Sequence, residues 1–238
     1  MRIPDLTLEC WDQVLRRVAD ELSKRSWTSQ PWHTRDEEDL WHELASCILG
    51  SVVSFEQATL SFQLLYSAGL LRVPRHAGDL ELFETSIANA LAGRVVASQL
   101  STNRCFPFPF LRARQLRQTA EVVYFGCGGL RQLLPCDVDP YFARAELVRI
   151  GCGVGPKQAS LFLRNVGFEN LAVLDRHVLQ FMTVRGLVAA QIPVRTLAQY
   201  ERAEREFVRY AEGIGIPVAQ LDLAVWVAVR TLKRGCVA

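Results

Sequence analysis

Residues 151–157 have the sequence Gly-Cys-Gly-Val-Gly-Pro-Lys. The three glycines stand at alternate positions, where they permit positive φ angles and a tight reversal of the chain. Pro156 suits the first position of a helix, because the N–H that proline lacks would have no partner there. Apolar residues recur at three- and four-residue steps on both sides of the stretch. It therefore predicts two helices joined by a tight hairpin turn, over residues 140–167.

The backbone amides of this hairpin would lie at the positive end of the second helix, which favours an anion such as a DNA phosphate. The candidate phosphate-binding residues are Gly151, Gly153, Val154 and Gly155. The alternative is a glycine-rich turn that binds no ligand. A dinucleotide-binding GxGxxG site does not fit, because no predicted strand precedes the glycines and no βαβ unit follows them.

Lys157 follows the hairpin directly and is a candidate nucleophile. Of the 27 lysine and arginine residues only three are lysines, so the chain uses arginine where positive charge alone is needed. An amine can lose its proton and attack carbon to form a Schiff base, whereas a guanidinium cannot. A helix N-terminus and partial burial both favour the uncharged amine. The alternative is an ordinary surface lysine.

Asp175 lies in the sequence LAVLDRH, residues 171–177, at the start of the next apolar helical segment. One interpretation is a helix N-cap, a position that aspartate favours. The other is a carboxylate that stabilises positive charge on a sugar ring while a glycosidic bond breaks. The two roles are compatible.

Helical periodicity dominates the rest of the chain, and alternating strand patterns are scarce, which predicts a nearly all-α fold. Residues 26–34 are rich in Trp, Ser and Pro and could join two lobes, and the prolines of residues 104–114 predict an extended path. The ten predicted helices cover residues 8–24, 36–49, 55–68, 79–92, 112–125, 140–150, 156–166, 175–182, 196–211 and 217–232.

The composition limits the classes of protein. A chain of 238 residues with 50% hydrophobic and 22% charged residues forms one large domain or two small lobes. The seven cysteines are odd in number, which disfavours a disulfide framework. They form no CxxC pair, which disfavours a zinc ribbon, and no close set of four near the C-terminus, which disfavours an iron–sulfur cluster. We find no signal peptide and no apolar run long enough to span a membrane. We therefore expect an intracellular, cytoplasmic protein.

The segment GVGPKQASLFLRNVGFENLAVLDRHVL, residues 153–179, resembles the helix-hairpin-helix DNA glycosylases of the HhH-GPD superfamily. It is most similar to the archaeal-type branch of 8-oxoguanine DNA glycosylase/AP lyases. Weaker similarity covers residues 43–49, 110–114 and 221–226, so that the resemblance extends over most of residues 40–230.

This resemblance implies that Lys157 is the Schiff-base nucleophile and that Asp175 is the essential carboxylate. It implies an all-α protein with two helical lobes flanking a DNA-binding cleft, one formed by residues 36–174 and the other by residues 1–35 and 175–238. The hairpin would bind a phosphate with the help of K⁺ or Na⁺ on its carbonyls, and no other metal or cofactor is expected. The partner would be duplex DNA with a modified base, bound by a monomer associated with the nucleoid.

The sequence departs from the branch at three points. The branch ends on a lysine whose terminal carboxylate helps to recognise the oxidised purine, whereas five residues follow Lys233 here. The loop of residues 50–55 is more apolar, and Gly151 replaces a larger apolar residue. Two substrates stay open: 8-oxoguanine, by resemblance, or a bulky hypermodified base of phage DNA, which would make the protein an antiviral defence enzyme.

A glycosylase extrudes the nucleotide that it acts on, and an apolar wedge can hold the gap open. The candidates for this wedge are Val52, Val53 and Phe55, with core packing at a helix start as the alternative. Asp222 and Trp226 could line the base pocket, through a carboxylate that accepts from an exocyclic amine and a ring that stacks on the base; capping and core packing are the alternatives.

Arginines interleaved with phenylalanines between residues 104 and 117 suit binding to the DNA backbone. The alternative is a solvated helix face, or carboxylate pairing inside the protein. The candidate backbone contacts are Arg112, Arg114, Arg164 and Arg176.

Two other classes of function stay open. The first is a non-catalytic DNA-binding protein that uses the hairpin only for backbone contact. The second is a monofunctional glycosylase for alkylated bases, in which Asp175 activates water. The first predicts no base removal at all, and the second predicts base removal that does not need Lys157.

Overall fold

The computed structural model describes residues 8–24, 31–93, 106–189 and 194–235. These residues form α-helices joined by short turns and contain no β-strand, which confirms the all-α prediction. The helices are α1 Leu8–Ser23, α2 Glu37–Leu49, α3 Phe55–Ser67, α4 Leu80–Leu91, α5 Pro109–Ala120, α6 Leu130–Leu133, α7 Pro140–Ile150, α8 Pro156–Asn165, α9 Arg176–Val184, α10 Leu197–Ile214 and α11 Val218–Gly235.

Side-chain caps and prolines set the start of most helices. Asp36 and Ser54 accept hydrogen bonds from the N3 amides of α2 and α3, which satisfies a backbone donor that has no partner within the helix. Asp139 does the same for α7, and Pro140 follows it at the first helical position. Thr196 forms a reciprocal capping box at the start of α10. These local signals explain why the predicted and observed starts agree closely.

The region after residue 105 differs from the prediction of an extended path. Pro109 is the first residue of α5, so that within the described part of this stretch the irregular residues are 106–108. The helix continues into a π-helical turn, Glu121–Gly126. Residues 104–105 of the predicted irregular stretch, and residues 26–30 of the predicted junction, lie outside the described residues.

The chain divides into two compact units. The central unit is Gln30–Val166, and the terminal unit combines Met1–Ser29 with Gly167–Ala238. In the central unit, α2 packs against α3, α5, α6 and α8, while α4 packs on α5 and α7 on α8. Trp41 and Leu44 of α2 are completely buried there.

The terminal unit is built on α11, which packs against α1, α9 and α10. Its core includes Trp11 of α1, Phe181 of α9 and Phe207 of α10, all completely buried. The rings of Trp11 and Phe181 meet edge to face with centroids 5.3 Å apart.

The predicted boundary after residue 174 differs from the observed division after Val166. Ala172 and Leu174 belong to the core of the terminal unit. The physical reason is that the backbone of residues 171–174 hydrogen-bonds to side chains of α10 and α11. The other boundary lies after residue 29 instead of residue 35.

No single helix of the described ranges is long and apolar enough to cross a membrane. By length and composition alone, only the pair α10 and α11 meets that requirement, with a bend of 94° at the break.

Candidate functional site

The hairpin joins α7 to α8 through residues 151–155. Gly153 has a φ of +80°, a conformation that only glycine adopts without strain. A Cβ at Gly151 would lie 2.6 Å from Val154 and 2.8 Å from the Leu147 carbonyl oxygen, so the tight reversal leaves no room for a side chain. A larger residue at this position would require Val154 or the Leu147 carbonyl to move.

Side chains of α5 hold the outside of the hairpin. The Thr119 hydroxyl donates to the Cys152 carbonyl at 3.1 Å, and the Cys152 thiol donates to the Gln118 side chain at 2.9 Å. Among the described residues, no acceptor contacts the amides of Gly153 and Gly155. The structure thus brings the predicted phosphate-binding residues together in one turn, in which the backbone amides of Gly153 and Gly155 are available as donors.

Lys157 lies in the first turn of α8 and is half-buried. It faces α2, since its charge acts on the buried thiol of Cys47. Burial raises the pKa of Cys47 above its usual value, Glu43 raises it further, and the charges of Lys157 and Arg164 lower it. The Cys47 thiol is therefore neutral at physiological pH, and the amine has no thiolate beside it.

Glu43 is the carboxylate on this face of α2. Its Oε1 accepts from the side-chain amide of Asn165 at 2.7 Å and lies 4.0 Å from the Cys47 sulfur. The hydrogen bond joins α2 to the end of α8 and fixes the helix that carries Lys157. In the described part of the chain, Lys157 itself has no hydrogen bond or ion pair.

Asp175 is the N-cap of α9 in the terminal unit. Its Oδ1 accepts from the amides of His177 at 2.8 Å and Val178 at 2.9 Å, so the capping interpretation is correct. Only Oδ1 takes part in the cap, and the residue is half-buried. A carboxylate fixed through one oxygen can still present the other to a ligand, so the two predicted roles remain compatible.

Asp222 does not have the geometry expected of a base-pocket residue. It is 2% exposed, and its Oδ2 accepts from the Val173 amide at 2.6 Å. The carboxyl group therefore holds the segment that leads to Asp175. Trp226, one turn further along α11, is half-buried with the Arg230 guanidinium 4.4 Å from its ring centre; its role in base stacking stays a prediction.

The loop between α2 and α3 has the form expected of a wedge. Val52 is 84% exposed and has a φ of +62°, which makes it a non-glycine residue of positive φ. Phe55 is 62% exposed at the start of α3, and Val53 is half-buried. Since a β-branched residue is strained in this conformation, the exposed tip is a candidate functional feature.

Arg112 lies in a different environment from the one predicted for a backbone contact. It is 4% exposed, and its guanidinium donates to the Ser51 carbonyl and to the Gln115 side chain. The guanidinium carbon also lies 5.9 Å from the centre of the Phe108 ring. Burial lowers the pKa of Arg112. The residue therefore supports the loop of residues 50–54 between α2 and α3, which we call the wedge loop, and does not face solvent.

The other three predicted arginines differ in exposure. Arg114 is exposed, with its guanidinium 3.9 Å from Glu84. Arg176 is exposed beside His177, and Arg164 is half-buried near Cys47. Arg114 and Arg176 have the accessibility that a phosphate contact requires, and all three stay predictions.

Two buried residues of α10 were not predicted to be functional. The Tyr200 hydroxyl and the Glu204 carboxyl group contact the backbone of residues 172–174. The signal in the sequence is Glu204, which occupies a core-facing position of an amphipathic helix between Tyr200 and Phe207. A charged residue at such a position is rarely buried without a specific partner.

Within the described ranges, no group of three or more His, Cys, Asp or Glu side chains could hold a metal ion. In the hairpin, the Gly151 carbonyl accepts from the Val154 amide, and the Cys152 carbonyl accepts from Thr119. A monovalent cation on the hairpin carbonyls stays a prediction.

The chain is similar to proteins of one known family. The model of the Ogg-HhH family, described as 8-oxoguanine DNA glycosylase, matches residues 23–216. The 8-oxoguanine DNA glycosylase/AP lyase of Metallosphaera sedula is 33% identical over 219 residues, which are 90% of this chain and 89% of that protein.

Solved structures give the same result. The 8-oxoguanine DNA glycosylase of Thermotoga maritima superimposes with a TM-score of 0.73 at 28% identity, over 92% of this chain and 96% of that one. The Methanocaldococcus jannaschii 8-oxoguanine glycosylase/lyase, solved in complex with a 15mer DNA containing 8-oxoguanine, has a TM-score of 0.73 at 18% identity. The superposition covers 91% of this chain and 95% of the M. jannaschii chain. At 18% identity this similarity supports the fold alone.

Proposed function

Since this chain belongs to the Ogg-HhH family of 8-oxoguanine DNA glycosylases, we propose that it excises 8-oxoguanine from DNA through a Schiff base on Lys157. Membership makes it a DNA glycosylase with AP lyase activity. The observation that carries the proposed role of Lys157 is its position. The residue is half-buried in the first turn of α8, directly after the hairpin, with no charged partner among the described residues.

The proposed reaction begins when the Nζ of Lys157 attacks C1′ of the extruded nucleotide. The N-glycosidic bond breaks, and the base leaves with the bonding electrons and takes up a proton. Asp175 stabilises the positive charge that develops on the sugar ring. The attached nitrogen gives up one proton, and the C1′–O4′ bond of the sugar ring then breaks while O4′ takes up a proton. A protonated imine remains between Lys157 Nζ and C1′. Loss of a C2′ proton then breaks the C3′–O bond and nicks the strand.

The proposed contacts with DNA involve the hairpin, the loop that bears Val52 and three arginines. The hairpin amides donate to a phosphate, supported by the N-terminal end of the α8 dipole and by a monovalent cation on the hairpin carbonyls. Val52 enters the stack at the tip of its loop, while Arg114, Arg164 and Arg176 neutralise the DNA backbone. Work on genomic DNA would place the protein at the nucleoid, inside the cell.

Borohydride trapping tests the proposed nucleophile. Borohydride reduces the imine to a secondary amine, which leaves a covalent protein–DNA adduct. We expect an adduct with the unaltered protein and with Lys24→Gln, a control that removes an exposed lysine directly after α1. We expect none with Lys157→Gln. An adduct that survives Lys157→Gln would refute this nucleophile.

The same variants separate the competing functions. Base release that persists in Lys157→Gln would indicate a monofunctional glycosylase in which Asp175 activates water. Absence of both base release and adduct on every modified duplex would indicate a non-catalytic DNA-binding protein.

The excised base is tested with a panel of duplexes. We expect release of 8-oxoguanine, in keeping with the family. A second candidate is a bulky hypermodified base such as those of phage DNA. It is favoured by the exposed, apolar tip at Val52, because the valine side chain has no polar group that could recognise an oxidised purine through a hydrogen bond. Release of hypermodified bases without release of 8-oxoguanine would indicate that the protein serves antiviral defence and not DNA repair.

A further inference from the structure

Residues 171–174 connect α8 to α9 and lead directly to Asp175. All four are buried in the terminal unit, with exposures between 0% and 7%. They belong neither to a helix nor to a strand, so their backbone groups cannot pair within regular secondary structure. Buried amides and carbonyls need partners, and here the partners must come from side chains.

Three consecutive backbone amides each donate a hydrogen bond to a different side chain. The Ala172 amide donates to Glu204 Oε1 at 2.9 Å, the Val173 amide to Asp222 Oδ2 at 2.6 Å, and the Leu174 amide to the Tyr200 hydroxyl at 2.9 Å. Every amide from 172 to 174 is satisfied in this way. We call Tyr200, Glu204 and Asp222 the acceptor triad.

Tyr200 has a second contact with the segment. Its hydroxyl donates to the Ala172 carbonyl at 2.7 Å while it accepts from Leu174, and therefore closes a bridge over one residue. Tyr200 and Glu204 lie one turn apart on α10, and Asp222 lies on α11. Each of the three is 2% exposed.

The last link is the chain reversal into α9. The Asp175 amide donates at 3.0 Å to the carbonyl of Val173, the same residue whose amide donates to Asp222. The position of the Asp175 carboxylate is thus fixed on one side by its cap of α9 and on the other by the acceptor triad. A buried carboxyl group is costly unless it has a specific partner, so two of them beside one short segment indicate a role in placing the aspartate at its end.

We infer that Tyr200, Glu204 and Asp222 are positioning residues for Asp175, a role that rests on the proposed function of Asp175 in base excision. A displacement of about 1 Å in a reacting group can reduce a rate about 100-fold. Loss of one member of the triad therefore slows the step in which the sugar cation forms, without a change in DNA affinity.

The first test compares two hydroxyl deletions on the same helix. Tyr200→Phe removes the bridge, whereas the control Tyr210→Phe removes a hydroxyl that donates to Asp12 and does not contact the segment. In single-turnover excision, we expect Tyr200→Phe to be roughly 10-fold slower than the unaltered protein. Tyr210→Phe should have an unchanged rate. Equal rates for the two variants would overturn the inference.

A second comparison separates positioning from general loss of structure. Asp222→Asn and Glu204→Gln keep an oxygen that can accept from the amide and should stay within about threefold of the normal rate, whereas Asp222→Leu and Glu204→Leu should lose roughly 10- to 100-fold. Cleavage of a preformed abasic site involves no glycosidic bond, so its rate should fall much less. An equal fall in excision and abasic-site cleavage would contradict the inference.

Amide hydrogen exchange tests the triad independently of any substrate. We expect faster exchange of residues 172–175 in Tyr200→Phe than in Tyr210→Phe, even if the unaltered protein were to release no base. Failure of the proposed function would appear as absence of base release with the exchange difference intact. Failure of this inference would appear as equal exchange in the two variants.

Discussion

Val52 combines three properties that a structural role does not require. It is apolar, it is 84% exposed, and its φ of +62° is disfavoured for a β-branched residue. The left-handed conformation costs an ordinary residue about 1–2 kcal/mol. The surrounding contacts maintain it: Arg112 binds the carbonyl of Ser51, and Ser54 caps α3. Strain of this kind is typical of functional sites.

Replacement of Val52 by glycine should separate stability from activity. Glycine adopts the same φ without strain, so we expect the free energy of unfolding to rise by roughly 1 kcal/mol, partly offset by the greater freedom of the unfolded chain. Excision from a fully paired duplex should fall about 10-fold, and less when the damaged base is already unpaired. Urea unfolding and single-turnover assays measure the two effects.

Leu82→Ala is the matched control, because it removes an apolar side chain that is 70% exposed on the regular helix α4. We expect no change in excision for this variant. A Val52→Gly protein with full activity on paired duplexes would show that Val52 is not the wedge.

At the scale of elements, the hairpin and the wedge loop are connected through α5. Gln115 lies over the Cα of Gly153 and also accepts from the Arg112 guanidinium, which in turn binds the Ser51 carbonyl. One row of side chains therefore supports both the hairpin and the wedge loop, the two proposed DNA contacts of the central unit.

Gly153→Ala tests this connection. A Cβ at this position would lie 2.5 Å from the Gln115 side chain, on a backbone with a φ of +80°. We expect a loss of about 1–2 kcal/mol in the free energy of unfolding and weaker DNA binding. Gly213→Ala is the control of opposite sign, because Gly213 lies exposed within α10 with open space around it, and alanine should stabilise that helix by up to about 1 kcal/mol. Equal stability changes in the two variants would contradict the assigned role of Gly153.

The sequence predicted elements well where the signal is local. Pro140 and Pro156 begin α7 and α8 at the expected residues, because a cap or glycine and a proline act within one turn. Pro109 was misinterpreted, since proline fits an extended path and a helix start equally well. The short helix α6 was missed, because its first amides are satisfied by Glu37, which lies 93 positions earlier in the chain.

Site residues too are predictable where the signal is local and not where it depends on distant contacts. The hairpin and the cap at Asp175 are visible in neighbouring residues. Asp222 and Arg112 have side chains that suit a DNA-binding site, and only their burial shows that they bind the protein's own backbone. Burial depends on contacts between distant helices, which periodicity in one sequence does not specify.

At the scale of the whole molecule, buried acidic groups predict sensitivity to alkali. Burial raises the pKa of Cys47 above its ordinary value of 9.0, and burial together with Glu37 raises the pKa of Tyr124 above 10.0. A group with a raised pKa in the folded state contributes its full stability below the pKa of the unfolded state. Above that value the unfolded chain loses the proton first, so folding becomes less favourable as the pH rises.

We therefore expect the free energy of unfolding to decrease above about pH 9, by about 1.4 kcal/mol per pH unit for the Cys47 thiol alone. Urea unfolding between pH 8 and pH 10.5 measures this slope. Cys47→Ala should start from a lower stability at pH 8, because it leaves a small cavity, and should lose stability less steeply above pH 9. Cys136→Ala removes an exposed thiol and should keep the slope of the unaltered protein. Parallel slopes for all three proteins would show that the Cys47 thiol titrates no later in the folded chain than in the unfolded one.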